Sequence, residues 1–342
     1  MASIPEISSA KRRALRELAP RAGLHAELLA SLGFADALEL VAPPVPSTPA
    51  RELRVVAWNA QRGSDPARAA ELLRATGADA FLLTEVDVGM ARTAQAHVPR
   101  ELAARLGCGF AFAVEFLELG LGDAAEQVLH AGKENAVGWH GAALLARQLL
   151  GEARVARVEP GGRWFDGALG ERRIGSRIAV LAKLPLVDAR GRARDVALAA
   201  VHLESHSDPA ERAAQLGAVF DALDRLAPGV PALVGGDVNT HSLGRAELAD
   251  RARLRAALAA DPTRLADPVA HEPLFALAEA RGFDWRTANL SGRATYKRDG
   301  RGAFALDWFF ARGLEVADPA VIATGALSDH EAIAVTIHLA RE

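Results

Sequence analysis

Short apolar runs that close on a polar or ionisable residue recur along this chain. Leu53-Arg-Val-Val-Ala-Trp runs into Asn59, Asp79-Ala-Phe-Leu-Leu-Thr into Glu85, and Asp195-Val-Ala-Leu-Ala-Ala-Val into His202. Pro231-Ala-Leu-Val-Gly-Gly runs into Asp237, Ala305-Leu into Asp307, and Gly325-Ala-Leu-Ser into Asp329 and His330. Runs of this kind, bounded by turn residues, predict buried strands. Further strands are predicted over 176–183 and 332–339, and over a run after His140-Gly141. Strand positions two apart share a face, so Asp237 with Asn239, Asn59 with Gln61, and His202 with Glu204 are expected side by side. Gly235-Gly236 is read as a tight turn just before Asp237.

Helical spacing appears between the strands. A helix is predicted from Pro66 to about Thr76, with proline in its first turn. Another runs from Pro209 to about Leu226, capped by Ser207 or Asp208. Residues 245–282 read as mostly helical, broken at Pro262, Pro268 and Pro273, and residues 293–302 as a loop. Residues 1–50 form an appendage. Leu15, Leu18, Leu24, Leu28, Leu29 and Leu32 suggest short amphipathic helices, and the proline-rich stretch 41–49 a stiff linker. That arm either packs on its own domain, residues 51–342, or serves self-association or a partner.

Composition narrows the class. Half of the 342 residues are hydrophobic and 24% are charged, with 40 basic against 43 acidic and a formal net charge of −3. A dedicated nucleic-acid binder usually carries a basic excess or stripe, and neither is evident. Cys108 is the only cysteine, which excludes an intrachain disulfide and a cysteine metal cluster. No signal-peptide core or bilayer-spanning run is evident, so a cytoplasmic location is expected. No P-loop, dinucleotide fingerprint or HExxH motif occurs.

Several segments allow two readings. Glu115, Glu118 and Asp123 are read as a solvated face, with metal ligation the alternative. Residues 151–175 read as a partly exposed hairpin region in which Arg163, Arg172 and Arg173 could meet an anion, and Trp164-Phe165 is a modest candidate for a membrane-touching tip. His140 either reaches the same rim as the strand-end residues or is structural. Carboxylates, amides and imidazoles at strand ends, with no nucleophilic serine or cysteine elbow, suit a hard oxygen-liganded cation and an activated water.

The ordered set WNAQRG, LLTEVD, HGAALLAR, AVHLES, GGDVNT, LDWFF and LSDHEAI resembles the signature of the endonuclease/exonuclease/phosphatase superfamily, over residues 53–339. The resemblance implies an α/β fold: a four-layer α/β sandwich of two mixed β-sheets packed face to face, with helices outside. It implies a metal-dependent hydrolase of phosphate esters. Glu85 would be the main ligand of Mg²⁺ or Mn²⁺, with Asn59 beside it and Asp329 as a further ligand. Asp237 would activate the attacking water, and Asn239 and His202 would hold phosphate oxygens. His330, oriented by Asp307, would stabilise the transition state or assist the leaving group. Gln61, His140, Lys297 and Arg298 fall on the substrate side.

There are departures. Gln61 stands where some nuclease members carry an aspartate, Ala-Ala follows His140-Gly141 where Asn-Ala is common, and Phe116–Gly122 is unlike the nucleases. With the near-neutral charge, these favour a small or lipid-like phosphate ester. The second reading is a nuclease, which needs Arg62, Arg163, Arg172, Arg173, Lys297, Arg298 and Arg301 gathered on one rim. The third is a non-catalytic binding protein on the same fold.

Overall fold

The computed structural model describes residues 4–265, 267–298 and 302–340, and the side chains of Leu265 and Arg298 lie outside the described set. The chain begins with α1 (Ser9–Glu17), α2 (Leu24–Leu32) and β1 (Leu38–Val41). β2 (Glu52–Arg62), α3 (Pro66–Ala75), β3 (Ala80–Val88), α4 (Val98–Leu106), β4 (Gly109–Glu118), α5 (Ala124–Leu129) and β5 (Trp139–Ala146) follow. Next come β6 (Ala153–Arg157), β7 (Arg173–Gly175), β8 (Ile178–Val187), β9 (Ala193–His202), α6 (Pro209–Leu226) and β10 (Ala232–Asp237). The remainder is α7 (Arg245–Leu248), α8 (Arg251–Ala260), α9 (Leu274–Ala280), β11 (Tyr296–Arg298), β12 (Gly302–Phe304), β13 (Asp307–Arg312), β14 (Leu314–Ile322) and β15 (Ala332–Leu339).

Two mixed sheets form the body. The first runs β1-β4-β5-β3-β2-β15-β14, with β7 added to β4, and the second runs β13-β10-β9-β8-β6. Only β2/β3 and β9/β10 are parallel pairs among these described strands. Alternation along the strands sorts the core into three layers. Val55, Ala57, Leu82 and Leu144 meet Leu198, Leu233 and Phe309 between the sheets. Val56, Phe81 and Leu83 pack outward with α1 to α4, and Val201, Val234 and Phe310 pack outward with α6 and α9. The four-layer expectation therefore holds. No helix among the described residues is long and apolar enough to cross a membrane.

Several local expectations change. Gly235 and Gly236 are not a turn, because β10 continues through them to Asp237. A Cβ on Gly235 would lie 2.5 Å from the Phe309 ring, and one on Gly236 2.1 Å from the Val201 carbonyl oxygen, with φ +145° besides. Glycine is thus set by close approach of the neighbouring strands. Residues 293–302, read as a loop, contain β11, which pairs antiparallel with β12 beginning at Gly302. Residues 151–175 are not a hairpin: β6 pairs with β8 and β7 with β4. Trp164 and Phe165 are buried, so they form no exposed tip. Asp208, not Ser207, is the N-cap of α6, and Glu211 Oε2 accepts the Asp208 N–H at 2.8 Å.

Residues 4–50 are built into the body. Leu15, Leu24 and Leu32 join the outer core of the first sheet, and β1 pairs antiparallel with β4. The buried Arg12 guanidinium donates to the carbonyls of Ile7 at 2.6 Å and Val137 at 2.7 Å. Arg172 donates to the carbonyls of Arg16 and Leu18, and His25 Nε2 lies 3.0 Å from the Gly175 carbonyl oxygen.

Candidate active site

Three strands of the second sheet place His202, Asp237 and Asp307 in one row. β9 runs parallel to β10 with His202 opposite Asp237, and β13 runs antiparallel to β10 with Asp307 opposite Asp237. The antiparallel pairing explains why Asp307 begins its strand while Asp237 and His202 end theirs. The same logic brings in His330. β15 runs antiparallel to β2, so the residues before β15 lie beside the far end of β2. Ser328 locks them there: its Oγ donates to the Asn59 carbonyl at 2.7 Å and accepts the His330 N–H at 2.9 Å.

From the first sheet, β2 and β3 contribute Asn59 and Glu85. The register between these strands slips between Asn59 and Arg62, and that between β3 and β5 slips between Leu83 and Val86. Gln61, Arg62 and Glu85 all adopt positive φ, at +42°, +77° and +51°. Backbone of this kind is uncommon for residues other than glycine and clusters at functional sites. Both strands continue past the residue at which the sequence pattern ends them.

Asn59 joins the two halves. Its Nδ2 donates to Glu85 Oε1 at 3.1 Å and to Asp237 Oδ2 at 3.0 Å. His330 Nδ1 lies 2.8 Å from Asp307 Oδ2, and its Nε2 lies 3.7 Å from Asp237 Oδ2. His202 Nε2 lies 3.6 Å from the same Asp237 oxygen and 4.0 Å from Glu85 Oε1. One ligand atom from each of Asp237, Asp307 and His330 falls within 4.8 Å of the others. Among the described residues, Asp307 Oδ1 is buried without a hydrogen-bond partner.

Burial and charge set the protonation. Burial opposes ionisation of Glu85, but Arg62, His202, His140 and the Asn59 hydrogen bond outweigh it and hold the carboxyl well below its usual range. Burial raises Asp237, aided by the Asp307 charge and opposed by His330. Burial would lower His330, but Asp307 and Asp237 overcome it and push the imidazole up to about 10. The residues suit a hard divalent cation: an ionised, partly open carboxylate at Glu85, an amide beside it, and a buried cluster with an unsatisfied carboxylate oxygen.

Other expected residues sit less directly. Asn239 leaves the strand with φ +52° and does not continue the alternation; its Nδ2 donates to the Leu203 carbonyl at 2.9 Å and its N–H to Asp237 Oδ1. Gln61 donates its N–H to Asn59 Oδ1 at 3.1 Å and accepts the Asp329 N–H at 2.9 Å, bracing the loop before β15. Asp329 is half-buried and falls outside the Asp237–Asp307–His330 cluster. His140 is buried, with Nδ1 2.8 Å from Asp87 Oδ1 and Nε2 unpartnered among the described residues. Lys297 is exposed and pairs with Glu331 at 3.2 Å. The Arg298 side chain and Arg301 lie outside the described residues.

The solvated face expected at Glu115 and Glu118 is buried instead. Both point into a network of arginines under the site, and Asp123 caps α5. Arg177 pairs with Glu115, meets Glu204 at 3.1 Å and approaches the His202 ring at 2.9 Å. His202 and Glu204 do not share a strand face, since β9 ends at His202; Arg177 connects them. Sequence reasoning gives Arg177 and Ser328 no place at the site, and reaches Glu115 only as an alternative metal ligand. Arg177 did leave a signal, a lone charge at the start of a buried run.

The fold and site define a phosphoesterase architecture, and the chain belongs to the Endonuclease/Exonuclease/phosphatase family, whose sequence model matches residues 56–330. Members are generally hydrolases of phosphate esters that use divalent metals. Among solved structures, it is similar to an endonuclease/exonuclease/phosphatase from Beutenbergia cavernae, at 19% identity and TM-score 0.58, covering 84% of this chain and 72% of that one. It is also similar to one from Bacteroides vulgatus, at 14% identity and TM-score 0.53, covering 84% of this chain and 99% of that one. At these identities the likeness shows the fold. No curated protein matches the sequence.

Proposed function

We propose that this protein is a divalent-metal-dependent phosphoesterase that hydrolyses a small or lipid-like phosphodiester or phosphomonoester by in-line attack of an activated water, in a reducing cytoplasm. The observation that carries the proposal is the row His202–Asp237–Asp307 with His330 3.7 Å from Asp237. Asp237, made more basic by burial, orients the attacking water and takes its proton. His330, held protonated by Asp307, donates from Nε2 to a phosphate oxygen or to the leaving group. His202 and the remaining N–H of the Asn239 amide face phosphate oxygens. Glu85, with Asn59 beside it and Asp329 nearby, would hold Mg²⁺ or Mn²⁺, which supplies charge neutralisation on the phosphate.

The state of the arginines supports a small substrate over a polynucleotide. Arg62 and Arg173 are committed to buried or half-buried carboxylates, Arg163 to Glu211, and Arg172 to backbone carbonyls of the first fifty residues. Lys297 faces Glu331. These described cations do not gather into a free basic rim.

The test is hydrolysis of bis(p-nitrophenyl) phosphate and p-nitrophenyl phosphate with Mg²⁺, Mn²⁺ or EDTA, for wild type and Asp237→Ala. Cleavage that needs metal and is lost in the variant is expected. Cleavage that persists in EDTA, or in Asp237→Ala, would sink the mechanism.

A further inference from the structure

Glu85 already has a cation. Arg62 Nη1 lies 2.9 Å from Glu85 Oε2, while Asn59 serves the other carboxylate oxygen. The guanidinium is held from its other edges as well, by Glu126 at 3.2 Å and Glu171 at 3.2 Å. Those two carboxylates are anchored in turn by Arg92, at 3.1 Å and 3.6 Å. Arg92 is fixed by a two-point contact with the buried Asp87, at 2.7 Å and 3.0 Å. The Arg62 and Glu85 side chains keep 15% and 20% of their surface exposed, so an ion from solvent reaches the pair.

We propose that Arg62 is an internal competitor of the divalent cation at Glu85, holding the carboxylate in the resting protein and yielding it when metal binds. This rests on the reading of Glu85 as the metal ligand. A carboxylate oxygen has a second lone pair, so Arg62 does not block a cation sterically. The opposition is charge repulsion at short range in a partly dry site. Release of Glu85 is feasible because Arg62 keeps two other carboxylates. Its positive φ, next to the register slip, aims the side chain across the strand ends toward Glu85 in place of the outer face.

Isothermal calorimetry with MnCl₂ on the full chain tests this through affinity, not activity. Arg62→Gln removes the charge and keeps a hydrogen-bonding amide; it is expected to bind Mn²⁺ about tenfold more tightly. Arg62→Lys keeps the charge and should stay within about threefold of wild type. Glu126→Gln weakens the alternative hold on Arg62 and should weaken Mn²⁺ binding, the opposite sign. Circular dichroism establishes that each variant is folded, and if Arg62→Gln is not, the Glu126→Gln arm decides. Unchanged or weaker binding in folded Arg62→Gln, or unchanged or tighter binding in Glu126→Gln, overturns the competition. Glu85→Gln separates the two levels: if wild type binds Mn²⁺ and Glu85→Gln binds it equally, the metal assignment itself fails, and this inference with it.

Discussion

The carboxylate of Asp307 sits 2.8 Å from Nδ1 of His330, and the opposite ring nitrogen faces Asp237. That contact fixes the ring plane and which nitrogen carries a proton toward the site. Asp307 is itself fixed, since Thr295 Oγ1 accepts the N–H groups of both Leu306 and Asp307 at 3.0 Å. Replacing Asp307 by Asn keeps the volume but removes the charge. Turnover is expected to fall by about 10²–10⁴ with the fold preserved. Steady-state rates on an activated phosphodiester, with circular dichroism as the control, check this.

Glu85→Ala, Asp237→Ala and His330→Ala are each expected to abolish measurable turnover while leaving a folded protein. All three lie where the two sheets' strand ends meet, and none belongs to the apolar core. Near-wild-type turnover in any one would remove that residue from the mechanism.

The loop after Asp237 is held by a fully buried ion pair. Arg212 meets Glu272 at 2.6 Å and 3.1 Å and donates to the carbonyls of Ser207 and Leu243, while Glu272 accepts the Ser242 N–H. Removing one partner leaves the other charge buried and alone, so Arg212→Met or Glu272→Leu should each cost about 3–5 kcal/mol. The double variant is expected to cost less than the sum of the two. Urea denaturation of the four proteins measures it, and strict additivity would contradict the coupling.

His241 makes stability depend on pH. Burial, with Arg212 beside it, lowers its imidazole to about 3. The neutral ring is satisfied: Nδ1 accepts the Leu243 N–H at 3.2 Å and Nε2 lies 2.8 Å from the Ser205 carbonyl oxygen. The unfolded chain binds the proton near pH 6.5 and the folded one does not. Its contribution is therefore complete above pH 6.5 and lost as the pH falls toward 3. Between pH 7 and 5 wild type should lose about 2 kcal/mol from this group. Denaturation of His241→Gln at both pH values should show a correspondingly smaller loss.

The apolar runs and their polar ends are local properties that pick out Asn59, Glu85, His202, Asp237, Asp307 and His330, although only His202 and Asp237 end their strands in the fold. β2 and β3 run on past Asn59 and Glu85, Asp307 opens β13, and His330 follows a 3₁₀ turn at Gly325–Leu327. A buried strand that closes on an ionisable group is visible in one dimension, because nothing but an edge, a partner or a cation tolerates the charge. The amphipathic helix 209–226 and the last strand were legible for the same reason.

The sequence by itself determined the strands and helices and the set of groups available for chemistry, since hydrophobic periodicity fixes which face each element buries, and it carried the family signature whose resemblance implied the layers. The tertiary structure alone decided how those groups meet. Register across β9, β10 and β13 aligned three of them, and the slip between β2 and β3 turned Arg62 toward Glu85. It also buried Glu115 and Glu118, which local polarity assigns to solvent, because Arg177, Arg92 and Arg173 reach them from elsewhere in the chain. The burial of a charge depends on its partner, and a partner dozens of residues away is supplied only by the folded chain.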